Sequence, residues 1–206
     1  MTNCFLIADE AARQAVLFDA PDHTVAPLLQ QAADRGWDVI GLWLTHGHFD
    51  HFADHAVVRQ KFPAARILLH PLDEPKAQHP DVQTRMFQLP FTIPPLTADV
   101  HLTDNQKLKI GSLEVVVLHT PGHSPGHVGY YFPKEQTLVG GDLIIGGSIG
   151  RTDLPDSDSE QMAASIRRVM SLPAATRLLG GHGRATTLGE ERQDNPFVQE
   201  ILESAP

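Results

Sequence analysis

The segment Thr45-His46-Gly47-His48-Phe49-Asp50-His51 places four metal-capable side chains within six residues. It follows the mostly apolar run Asp38–Leu44 directly. A strand end holds the backbone rigidly, while the loop after it can curl its side chains round one point. His46 and His48, two residues apart, project to the same side of an extended segment. Asp50 and His51 are adjacent, point differently, and are placed to serve a second ion. Gly47 lets the backbone bend with no side chain in the way. Three further segments have the same character, a ligand-type residue bracketed by glycine or proline after an apolar run. They are Thr120-Pro121-Gly122-His123-Ser124-Pro125-Gly126-His127, Gly140-Gly141-Asp142 and Gly180-Gly181-His182-Gly183. Sheet proteins place sites at such strand ends. Together the three supply His123, Asp142 and His182. The chain has 12 histidines, and a single histidine is more often capped or exposed than a ligand. His23, His55, His70, His79 and His101 are read in that ordinary way.

The elements that must position these residues alternate in type. Two short strands are expected at Cys4–Ala8 and Gln14–Asp19, with Asp9 and Glu10 in the turn. A helix over Val25–Arg35 stops at Gly36, and Asp38–Leu44 reads as a buried strand. A helix over Asp54–Phe62 is halted before Pro63, and Arg66–Leu69 is another buried strand. From Pro71 to Pro95 six prolines interrupt the pattern; only Val82–Leu89 is expected to hold a helical turn. Such a long irregular segment suggests a lid carrying Met86, Phe87 and Phe91, or a homodimer contact. Strands return at Lys107–Ile110, Leu113–Leu118, Val128–Phe132 and Thr137–Val139. A helix over Ser159–Ser171 and a last strand, Arg177–Leu179, follow. The tail from Arg184 reads as polar loop with a short helix near Val198. The alternation implies βα units, and the style of the first half repeats in the second. Two similar α/β halves packed sheet to sheet are expected.

Composition narrows the function. With 16 basic and 25 acidic residues the chain carries a formal charge of -9, which argues against nucleic acid as a partner. No apolar run approaches the ~18 residues of a membrane span. The start has no basic head and carries acids early, unlike a secretory signal. The single cysteine, Cys4, excludes an internal disulfide framework and fits a reducing, cytoplasmic compartment.

The order HxHxDH, TPGHSPGH, GGD, GGHG resembles the ligand pattern of the metallo-β-lactamase superfamily from about Asp38 to Gly183. The resemblance implies an α/β fold, a four-layer αβ/βα sandwich, as one domain over residues 1–206 with the site at one edge of the sheets. Within the superfamily the chain looks like the glyoxalase II group (hydroxyacylglutathione hydrolases). The marks are the intact Asp50-His51 pair, Asp142 where many lactamases have cysteine, and Gly150-Arg151-Thr152-Asp153-Leu154-Pro155. The ending Thr187 to Arg192, then Asn195-Pro196-Phe197, is shared with short bacterial members. Carried over position by position, the resemblance assigns His46, His48 and His123 to a first metal. Asp50, His51 and His182 go to a second, with Asp142 bridging. The donor set suits zinc first, with iron or manganese able to substitute. Two ions about 3.5–4 Å apart can share a hydroxide that attacks a carbonyl carbon, with Asp50 orienting it. A 2-hydroxyacyl thioester such as lactoylglutathione is the implied small-molecule substrate. Its leaving thiolate, whose acid has a pKa of about 8.5, needs little acid help. Arg151 is the expected anchor for a substrate carboxylate, and Tyr130 is expected to line the pocket. Two departures bear on the thiol carrier. Only 23 residues follow Gly183, so the helical glutathione-gripping region of longer members has no counterpart, and Asp153 stands where the family often has tyrosine. The alternative on the same fold is a persulfide dioxygenase holding one iron by His46, His123 and Asp142. The third reading is a non-catalytic metal-binding module.

Overall fold

The computed structural model describes residues 1–204. The chain divides into two compact units, one of residues 2–102 with 109–113, the other of Met1, 103–108 and the residues from 114 onward.

In the first unit, β1 (Phe5–Asp9) and β2 (Gln14–Phe18) form an antiparallel hairpin with Phe5 opposite Phe18. Helix α1 (Val25–Asp34) leads to β3 (Asp38–Trp43), parallel to β2. Helices α2 (Phe49–Phe52) and α3 (His55–Lys61) lead to β4 (Arg66–Leu69), parallel to β3. Helices α4 (Glu74–Gln78) and α5 (Pro80–Met86) precede β5 (Val100–His101), which closes a sheet of order β1-β2-β3-β4-β5. Parallel strands joined by helices need apolar residues on their covered faces. Val25, Leu29 and Ala32 of α1 and Val58 of α3 accordingly pack in one core with Leu17, Leu42, Ile67 and Leu69.

The second sheet begins with β6 (Lys107–Ile110), β7 (Leu113–His119), β8 (Val128–Phe132) and β9 (Thr137–Gly141). Helix α6 (Ser159–Val169) then carries the chain to β10 (Arg177–Gly180), parallel to β9. The short β11 (Thr186–Thr187) and helices α7 (Leu188–Asp194) and α8 (Pro196–Glu203) follow. The sheet order is β11-β10-β9-β8-β7-β6. Met162, Ile166 and Val169 of α6 and Val198 of α8 pack with Leu118, Leu138 and Leu178 of the sheet.

Three expectations are corrected. Residues 71–95 are irregular only in part: they hold α4 and α5, which overlaps the helical turn expected from Val82, and the prolines Pro75 and Pro80 lie in the first turn of these helices. A proline there gives up an N–H that has no helical partner anyway, so it starts a helix rather than breaking one. The tail from Arg184 holds the helix expected near Val198, as α8, and a second helix, α7, where loop was expected. Thr187 and Glu190 form a reciprocal capping box at the start of α7, and Asn195 caps α8 with Pro196 behind it. The signature of threonine followed three residues later by glutamate was present in the sequence. The HxHxDH segment also contains an element: Asp50 and His51 lie in α2, one turn of helix rather than loop.

Candidate metal centre

Strand β3 delivers four candidate donors. His46 and His51 are fully buried, His48 nearly so, and Asp50 is half-buried. The ring centroids of His46 and His48 are 4.7 Å apart, and those of His46 and His51 4.1 Å. Donor atoms of His46 with His48, of His46 with His51, and of Asp50 with His51 lie within 4.8 Å of one another.

A buried carboxylate at the end of β2 orients two of these rings. Asp19 accepts from the Thr45 amide at 2.8 Å, the Thr45 hydroxyl at 2.9 Å and His51 Nδ1 at 2.9 Å. The Thr45 hydroxyl has one hydrogen and gives it to Asp19, so towards His46 Nδ1, 3.0 Å away, it accepts. Both rings therefore carry the proton on Nδ1, which leaves each Nε2 lone pair for an ion.

Residues 71–95 clamp the same loop from another side. Asp73 accepts from the Gly47 amide at 2.8 Å. Gln83 of α5 accepts from the Phe49 amide and donates to the Gly47 carbonyl, each at 3.0 Å. A Cβ at Gly47 would sit 2.6 Å from the Asp73 carbonyl oxygen, so the clamp requires glycine there.

The second unit holds three further candidate donors. His123, buried, directs Nδ1 at the Arg151 carbonyl, 2.9 Å away. His182 directs Nδ1 at the Met1 carbonyl, 3.2 Å away. A carbonyl only accepts, so again Nδ1 holds the proton and Nε2 the lone pair. Both Nε2 atoms face Asp142 Oδ2, at 3.6 Å from His123 and 3.2 Å from His182. Two imidazole lone pairs and a carboxylate oxygen converging in this way repel one another and are stabilised by a divalent cation between them. The donor set thus fits a metal: nitrogen and oxygen donors with no thiolate.

Asp142 is itself held. Its amide donates to His127 Nε2 at 3.0 Å, and His127 Nδ1 in turn donates to the Thr120 hydroxyl at 2.9 Å. Both nitrogens of the buried His127 ring are thus engaged, so it positions Asp142. Gly150 closes this loop: a Cβ there would lie 2.0 Å from the Asp142 carbonyl oxygen and 3.0 Å from His123 Nδ1.

The two expected substrate contacts fare differently. Tyr130, expected to line a pocket, is fully buried in β8 opposite Val117 and Val139. A tyrosine on a strand covered on both faces packs, and it has no surface left for a substrate. Arg151 is exposed, and its guanidinium is gripped by Asp153 through two bonds of 2.6 and 2.7 Å. That pairing holds the Asp153 carboxyl below the usual carboxylate range. Asp19, Thr45, Asp73, Gln83 and His127 are the positioning residues that sequence reasoning missed. Only His127 had a visible signal, as the second histidine of TPGHSPGH.

The model of the metallo-β-lactamase superfamily matches residues 1–182. The chain belongs to that superfamily. Hydroxyacylglutathione hydrolase GloC of Haemophilus influenzae is 32% identical over 203 residues, which is 95% of this chain and 92% of that protein. Among solved structures, the BLEG-1 B3 metallo-beta-lactamase superposes with a TM-score of 0.86 at 36% identity, covering 96% of this chain and 94% of its own. TTHA1623 in a di-iron-bound form superposes with a TM-score of 0.84 at 38% identity, covering 95% and 94%. The fold is therefore the αβ/βα metallo-β-lactamase fold, as the motif order implied, and the chain carries the metal-binding His/Asp set of a metallo-hydrolase.

Proposed function

We propose that this metallo-β-lactamase superfamily member is a dinuclear metal-dependent hydrolase of 2-hydroxyacyl thioesters, lactoylglutathione among them. The observation that carries the reading is the proton placement on His46, His51, His123 and His182. In each ring Nδ1 is committed to an acceptor and Nε2 is left as a metal donor. Within the first unit the candidate donors of His46, His48, Asp50 and His51 lie together, and within the second those of His123, Asp142 and His182. These support a first ion on His46, His48 and His123, and a second on Asp50, His51 and His182, with Asp142 shared. The name of the GloC relative supports the substrate class, and the di-iron form of TTHA1623 supports two ions. Zinc is the proposed native metal, with iron or manganese as substitutes.

Two such ions would act as Lewis acids, bringing the pKa of a bound water to near neutrality and polarising the substrate carbonyl. The chain's part is to hold the donors rigid and to keep the loops round them closed by the Asp19, Gln83 and His127 bonds. Asp50, the only half-exposed carboxylate among the donors near His51, orients the attacking water. No general acid is required, because the leaving thiolate is a weak base. Arg151 grips a substrate carboxylate in exchange for Asp153; exposed pairs of this kind contribute little, so the exchange is open. The reading takes the protein to be cytoplasmic, acting on small molecules without nucleic acid or membrane. Among the described residues no helix is long and apolar enough to cross a membrane.

One metal-analysed sample decides the matter. Thiol release from lactoylglutathione is measured beside oxygen uptake on glutathione persulfide and hydrolysis of a cephalosporin. Close to two ions per chain and thiol release without oxygen are expected. Arg151→Ala should raise KM more than it lowers kcat. Oxygen uptake with a single iron and no thioester cleavage would replace the hydrolase by the dioxygenase. Turnover confined to the cephalosporin would make it a lactamase, and metal binding without any turnover a binding module.

A further inference from the structure

Residues 1 and 2 touch two of the donors assigned to the second ion and none of those assigned to the first. The Thr2 hydroxyl donates to Asp50 Oδ2 at 2.7 Å, a length in the range of charge-assisted O–H···O bonds. Thr2 is 8% exposed, so water has little access to replace that hydroxyl. The oxygen it fixes is the one that lies 3.7 Å from His51 Nε2, so the bond sets how the carboxylate meets the ring. One residue earlier, the Met1 carbonyl accepts the Nδ1 proton of His182. His51, the third donor of that group, is oriented separately by Asp19. Among the first-ion donors, His46 is oriented by Thr45 and His123 by the Arg151 carbonyl.

We infer that Thr2 is a positioning residue for the second metal ion: its hydroxyl fixes the Asp50 carboxylate, and its place in the chain keeps the Met1 carbonyl on His182. The inference rests on the two-ion reading above. Partners of metal ligands are worth about 10–100-fold in metal affinity when removed, and here the loss is confined to one of two ions.

The test uses the full chain as wild type, Thr2→Val and Thr2→Ser, with the N-terminal residue of each read from its intact mass. Metal-free protein is titrated with zinc against a chromophoric chelator, and its thermal midpoint is recorded without metal. Thr2→Val removes the hydroxyl but keeps the shape. It should weaken the second zinc about 10–100-fold, leave the first unchanged, and melt with the wild type. Thr2→Ser should restore the second zinc. Wild-type affinity in Thr2→Val would overturn the inference. Equal weakening of both ions, or a loss that serine does not restore, would reduce Thr2 to a structural residue and overturn it as well. A wild type that binds one zinc fails the two-ion reading itself, before any variant is compared, and this inference falls with it.

Discussion

Asp19 sets the proton position on two ligand rings, directly for His51 and through Thr45 for His46. Its three contacts, the Thr45 amide, the Thr45 hydroxyl and His51 Nδ1, require a group that only accepts, which an ionised carboxylate is and an amide is not. In Asp19→Asn the side-chain NH2 must face either Thr45 or His51, and one buried donor loses its acceptor. Destabilisation of about 1–3 kcal/mol is expected from that donor, with zinc affinity down about 10–100-fold. Chelator competition and a thermal melt check both; unchanged zinc binding would mean that the rings are held by something else. Asp142 and His182 separate the roles within the donor set. Asp142→Ala should disturb both ions, because one carboxylate is proposed to serve both, while His182→Ala should release only the second. Elemental analysis of the two variants reads the difference, and equal losses would make the assignment of roles wrong.

At the scale of elements, the turns hold the strands in register and therefore hold the loops that carry donors. The carboxylate of Asp9, at the end of β1, accepts from the Ser112 hydroxyl at 2.6 Å, the Ser112 amide at 2.7 Å and the Ala12 amide at 3.0 Å. These bonds, led by the Ser112 hydroxyl, pull its pKa down to about 2. An unfolded aspartate titrates near 3.9, and a depressed folded value means that the folded state is favoured while the group is ionised. The contribution is therefore complete above about pH 4 and fades as the pH falls towards 2. Thermal melts across that window should show wild type losing stability more steeply than Asp9→Asn. Parallel curves would show that Asp9 does not tie the hairpin to the Gly111-Ser112 turn. Helix α5 plays a comparable part for the HxHxDH loop, since the bonds of Gln83 to Gly47 and Phe49 give residues 71–95 a positioning role. A lid or dimer face was the sequence-based expectation for this segment. Met86 and Phe87 do remain exposed, and the Phe87 ring lies 5.3 Å from that of Phe49.

For the whole molecule, the seven proposed metal donors, spread in sequence from residue 46 to residue 182, would make metal binding a folding term as well. Ligands that bind only the folded state stabilise it by mass action, by about 2.7 kcal/mol at a hundred times the dissociation constant. At roughly 2–4 °C per kcal/mol for a chain of this size, chelation should lower the melting midpoint by about 5–10 °C per strongly held ion. Adding zinc back should restore it. A midpoint indifferent to chelator would show that the donors contribute nothing to the stability of the fold. The net charge of -9 belongs to this scale too. It sets long-range repulsion from anionic polymers.

What the sequence determined by itself was the candidate donor set and the strand ends that bear it. Ligand chemistry admits few residue types, and glycine-flanked positions after apolar runs are visible in a string of letters. His46, His48, Asp50, His51, His123, Asp142 and His182 were legible in this way, as was the alternation of strands and helices, because a buried strand must be apolar along its length. What only the tertiary structure decided was how those donors are oriented and what surrounds them. Asp19 is 32 residues from the ring it orients, His127 15 from the amide it anchors, and Gln83 36 from the carbonyl it holds. A hydrogen bond depends on two atoms meeting at about 3 Å, and sequence separation carries no trace of that meeting. Tyr130 was misread for the same reason, since nothing in its neighbours says that both faces of β8 are covered. Residues 71–95 and the tail failed differently, because a proline counts as a breaker or a starter according to whether it falls in the first turn of a helix.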